Sequence, residues 1–205
     1  MEPINDGWSI IIVGAWNRRI FTPQWLKKNK LTEQELIGIA VPLNNPTLPI
    51  RLDFDNVYLH ISDERLVLNP KDCQIDDHIK DIQKAAKIIV EKLEHTPLVA
   101  VGINFQFQED KCPDKLGKAF AINDSFSDEA GDLTHNEIKR SYKHKMGVLN
   151  FTISGPLDLS KITLDYNYHR EVEKSEEAVS FLNEDIIKLK EEAIDLYKKA
   201  YEDDK

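Results

Sequence analysis

The chain carries only two cysteines, two methionines and eight glycines in 205 residues, and each scarcity excludes something. Cys73 and Cys112 form no Cys-x-x-Cys pair and neither stands beside a histidine at zinc spacing, which disfavours a structural zinc. Two cysteines with no signal segment read as free thiols in a reducing compartment. The glycines are not clustered: Gly14 follows the first apolar run, but Trp16-Asn17-Arg18-Arg19 fills the place where a phosphate-binding turn needs further glycines, so P-loop and dinucleotide fingerprints are absent. No Gly-x-Ser-x-Gly elbow is present either. The longest apolar run, Ile10 to Val13 with its neighbours, falls well below the roughly 20 residues that cross a bilayer. The opening MEPINDGW has no basic-then-apolar signal region. A cytoplasmic chain without membrane contact or cofactor is the expectation.

Positive charge is also in short supply. Lys and Arg total 27 against 36 Asp and Glu, a formal net charge of -9, and such a surface repels phosphate backbones. Nucleic acid is therefore disfavoured as a partner. The one basic stretch, Lys139, Arg140, Lys143, His144 and Lys145, reads as a solvated face opposing the acidic C-terminus. Arg18-Arg19 reads as a surface pair salt-bridged to acids.

The chain does have enough apolar residues, 41% against 31% charged, for one domain with a sizeable core. Trp8 to Trp16 is a β-branched run expected to form a central strand. Thr22-Pro23 opens a short helix to about Lys28. Thr32-x-x-Glu35 suggests a single capped turn, then a strand over 37–41 that stops at Pro42. Three alternating runs, Ile50 to Phe54, Val57 to Ile61 and Arg65 to Leu68, form a meander. Apolar residues at helical spacing from Ile75 to Leu93 predict a helix capped by Asp76 or Asp77. Val99 to Phe107 alternates as a half-buried strand. Residues 108–136 have weak periodicity, with a short helix at most around Lys115 to Ile122, and form the longest expected irregular segment. Leu149 to Ile153 and Ile162 to Tyr168 read as a hairpin. Ser175 starts one long helix to about Tyr201, whose Val179, Leu182, Ile186, Leu189, Ala193 and Leu196 recur at steps of three and four. The order implies an α+β fold, a mostly antiparallel sheet with helices on one face, as a single domain 1–205.

No constellation of catalytic residues stands out. The six histidines make no metal-ligand pair on one helix. Glu109, Asp110 and Asp114 would raise the thiol pKa of Cys112 and disfavour it as a nucleophile. Asp124 to Asp128 lacks the glycine and terminal glutamate of a calcium loop. The expected function is a non-enzymatic interaction subunit, an adaptor, inhibitor or regulatory component. Its expected contacts are Val179, Leu182, Ile186 and Leu189 on the C-terminal helix and Phe126 and Leu133 in the long loop. The partner would be another protein, in a hetero-complex first and a homodimer second. The alternative is a small-molecule-binding or hydrolytic site where His60, Asp53, Asn104, His169 and Asp165 converge on the polar side of the sheet.

Overall fold

A computed structural model describes residues 1–43, 45, 48–110, 112–120, 133–156 and 158–202. The elements in chain order are β1 (Glu2–Pro3), β2 (Ser9–Gly14), α1 (Pro23–Lys28), β3 (Gly38–Ala40), β4 (Ile50–Phe54), β5 (Val57–Ile61), β6 (Arg65–Pro70), α2 (Asp76–Lys92), β7 (Leu98–Glu109), α3 (Asp114–Phe120), β8 (His135–His144), β9 (Gly147–Pro156), β10 (Ile162–Glu171), α4 (Ser175–Leu182) and α5 (Ile186–Tyr201). The strands make one sheet in the order β3-β4-β5-β6-β2-β7-β10-β9-β8, with β1 on β7 beyond the end of β2. Every pairing is antiparallel. The expected α+β architecture with a large antiparallel sheet is present, together with five helices among the described residues.

Period-two alternation places the core. The register sets Leu52, Leu59, Leu68, Ile10, Ile103, Tyr168 and Leu149 side by side across seven strands, and all are buried. Trp8 closes this face edge-on to Phe105 and Phe107, with ring centroids at 4.9 and 5.4 Å, and its indole donates to the carbonyl of Gln106 at 2.8 Å. The long apolar face of α2, Ile79, Ile82, Ala86 and Ile89, is fully buried and packs on β2, β5 and β6.

One residue along each strand, the side chains point the other way and are polar. Ser141, Asn150, Asn167, Asn104 and Ser9 stand opposite one another on β8, β9, β10, β7 and β2, linked as a hydrogen-bonded row. The Ser141 hydroxyl donates to Asn150 Oδ1 (2.7 Å), the Asn150 amide to Asn167 Oδ1 (2.9 Å), the Asn167 amide to Asn104 Oδ1 (2.7 Å), and the Asn104 amide to Ser9 Oγ (3.0 Å).

Four local expectations change. Thr22 does cap α1, its hydroxyl accepting from Trp25 N at 3.2 Å, but Thr32 makes no helical turn; its hydroxyl accepts from Gln34 N in an open bend. The N-cap of α2 is Ile75, without a side-chain cap, and Asp76 and Asp77 fall in its first turn. The basic stretch from Lys139 lies on a strand, β8, so the hairpin is a three-stranded meander. Its tight turn needs Gly147, whose φ of +140° would bring a Cβ to 2.3 Å from the carbonyl oxygen of His169. Finally, 175–201 is two helices. Asp185 Oδ1 accepts from Ile187 N and Lys188 N at 3.0 and 3.4 Å, capping α5 afresh, while the Gln83 amide of α2 donates to the carbonyls of Leu182 (2.9 Å) and Glu184, which the break leaves without helical partners.

Candidate functional site

The residues expected to dock a partner are distributed differently from the expectation. Leu182, Ile186 and Leu189 are buried in the chain's own core, and Val179 is partly buried against it, so this seam faces inward. Leu133 is half-buried beside the start of β8, and Phe126 lies outside the described residues.

The alternative set does not converge. His60 and His169 share a row, through Val67, Ile11 and Gly102. Four strand spacings separate them, roughly 19 Å at about 4.8 Å each. Asp53, paired with Tyr58 and through it with Asn69, is also four strands from Asn104. The set falls into two separate groups: Asp53 and His60 are diagonal neighbours on β4 and β5, and Asn104 on β7 is diagonal to Asp165 and to His169, which stand four residues apart on β10. Asp165 accepts from the Gln106 amide at 2.6 Å.

Side chains do converge on the opposite, apolar face, under the C-terminal half of α5. A cavity of about 360 Å³ opens there between the helix and β8, β9 and β10. Its floor is Tyr142, Leu149, Phe151 and Tyr166, placed by a register that sets Tyr142 opposite Leu149 and Phe151 opposite Tyr166. Glu192, Leu196, Tyr197, Ala200 and Tyr201 form its roof, one helical face at steps of four, one, three and one. Phe151 lies 4.8 Å from Tyr166 and 6.4 Å from a stacked Tyr201 between ring centroids.

The polar groups sit at its margins. Arg140 Nη1 donates to the Tyr201 hydroxyl at 3.1 Å. His144 Nδ1 accepts from Met146 N at 3.3 Å, which leaves Nε2 to carry the ring proton and donate to Glu192 Oε1 at 2.9 Å. The Tyr168 hydroxyl lies 3.4 Å from the same oxygen. Tyr197 donates to Glu109 Oε2 at 3.0 Å, and the Met1 amino group pairs with that carboxylate at 3.0 Å. Burial pushes the Tyr166, Tyr168 and Tyr197 phenols well above the ordinary range, and Glu192 adds to the effect at Tyr168 and Glu109 at Tyr197. These phenols stay protonated donors.

The cavity thus offers π-faces, phenolic donors and a histidine–carboxylate pair, with the Arg140 guanidinium at its margin. No Ser, Thr or Cys lines it, so His144 has no nucleophile to activate. The thiols are elsewhere: Cys73 is buried and pushed up to about 11 by burial and Asp72, and burial, Glu109 and Asp114 raise Cys112. No group of three or more His, Cys, Asp or Glu among the described residues is placed to hold a metal, and no described helix is long and apolar enough to cross a membrane. The basic stretch that contains His144 reads from the sequence as a solvated face; the structure pairs His144 with Glu192 of α5. The available signal was the aromatic density of Tyr142, Phe151, Tyr166, Tyr197 and Tyr201. Comparison with known proteins finds no family model and no curated protein that the chain matches.

Proposed function

We propose that the chain is a non-enzymatic, cytoplasmic binding module that holds a small molecule with a flat apolar body and an acidic head in the cavity under α5. The aromatic cavity itself carries this reading. Its volume of about 360 Å³ falls within the roughly 300–1,000 Å³ of ligand pockets, and it combines a mostly apolar lining with a few polar groups at its margins. The apolar body would lie between Phe151, Tyr166 and Tyr201, and the head at the margin beside the Arg140 guanidinium that meets the Tyr201 hydroxyl. The helices would be gathered on the apolar side of the sheet, a reading supported by α2 on β2, β5 and β6 and by α4 on β7. Chemistry at the site has less support, because the His144–Glu192 pair lacks a nucleophile. An adaptor docking through the 175–201 seam has less support, since Leu182, Ile186 and Leu189 pack within the chain's own core.

Anilinonaphthalene sulfonate has the required chemistry, an aromatic body with an acidic group. Saturable one-to-one fluorescence enhancement with the folded chain is expected. Ala200→Trp, at an exposed position on the cavity mouth, should abolish it while leaving the thermal melt unchanged. Binding that is non-saturable, or unaltered by Ala200→Trp, would overturn the reading.

A further inference from the structure

Residues 36–50, LIGIAVPLNNPTLPI, contain no Asp, Glu, Lys or Arg in a chain that is 31% charged. The other long uncharged stretches, 7–17, 96–108 and 146–157, supply β2, β7 and β9, each of which has a strand on both sides. The 36–50 stretch supplies β3, which among the described residues has a neighbour on one side only, β4. Its apolar side chains are in solvent: Leu36 is 89% exposed, Leu43 93%, Val41 54%, Ile39 52% and Leu48 49%. An apolar sheet edge of this kind is a template for another strand. At the opposite edge, β8, Lys139 and Lys143 are exposed, the usual guard against such pairing.

The charges that bracket the run are arranged by sign. Glu33 and Glu35 precede it and are exposed. At its far end Arg18 and Arg19 share a surface hollow with Val41, Pro42, Leu48 and Ile50; Arg18 is held by Asp63 at 2.8 Å, and Arg19 is exposed. In an antiparallel two-fold pair centred on Ile39, Ile37 of one copy faces Val41 of the other and Glu35 faces Leu43. Acid-first, arginine-last order then puts the glutamates of each copy beside the arginines of the other, twice. The basic edge of β8 offers an uncharged strand no such match.

We propose that two copies of this chain pair antiparallel through β3, covering the exposed apolar side chains of 36–43 and setting Glu35 of each copy towards Arg19 of the other. The contact is isologous and closes at the dimer. The proposal is independent of the ligand reading, because the cavity lies under β8–β10 at the other end of the strand order.

Sedimentation equilibrium of the full chain tests it. The wild type should sediment as a dimer, and Ile39→Lys, a charge on an exposed edge residue, as a monomer with an unchanged melt. Arg19→Glu and Glu35→Arg should each shift the equilibrium towards monomer, and the two together should restore the dimer. This charge exchange decides the matter if Ile39→Lys does not fold. A wild type that stays monomeric, a dimer indifferent to Ile39→Lys, or single charge reversals that leave the equilibrium where it was would each overturn the proposal.

Discussion

Asp165 is half-buried on the polar side of the sheet. Burial raises its carboxyl first, the Gln106 hydrogen bond works against that shift, and the charge of Glu137 adds to it. A carboxyl raised in the fold favours folding below its unfolded range, and that contribution is lost as pH rises through the folded value. At about pH 7 the ionised form therefore weighs against the fold. Asp165→Asn, which keeps an oxygen for Gln106, is expected to raise the urea midpoint at neutral pH and to lose that advantage in acid, where both side chains are neutral. A lowered midpoint at neutral pH would contradict this. His60 runs with the opposite sign: burial and then Arg51 lower it, so its contribution is present above the ordinary histidine range and is lost as pH falls. The residue scale was only partly legible in the sequence. The carboxylates around Cys112 foretold its raised thiol, and Glu109 and Asp114 do act on it. Nothing along the chain foretold His144 and Glu192, which come together only once β8 has been laid against α5.

At the scale of elements, legibility followed exposure to the core. β2, the β4–β6 meander, α2 and β7 each bury a periodic apolar face, and each was readable within a few residues. β8 was not, because an edge strand over which a helix only partly closes carries polar side chains on both faces: Ile138 and Tyr142 are its only large apolar residues. The helix break at 183–185 was hidden for a different reason. The apolar spacing continues through it, so the pattern read as one helix, and the break rests on Asp185 as a cap and on Gln83 reaching from α2. Gln83→Ala leaves the carbonyls of Leu182 and Glu184 without this donor, and is expected to cost about 1–3 kcal/mol in denaturant unfolding. A change near zero would mean that water serves the joint equally well.

Over the whole molecule the antiparallel α+β class was legible from hairpin-like spacing and the lack of regular βα alternation. Strand order was not, because β2 and β7 meet only after α2 has carried the chain back across β6. The C-terminal helices belong to this same body. Phe181, Leu182, Ile186, Leu189 and Tyr197 are buried, and at about 1.5–3 kcal/mol each they match the whole stability of about 5–15 kcal/mol expected of a domain. A chain ending before Ser175 is therefore expected to lose its cooperative thermal transition; a folded remnant would show that α4 and α5 are an appendage. The row from Ser141 to Ser9 has a consequence at the same scale. All four of its bonds donate in one direction, from β8 towards β2, so the three amide dipoles add where strand dipoles alternate and cancel. The sheet acquires an electrical axis across its strands, with the positive end at Ser9, and a dipolar molecule resting on that face would have a preferred heading.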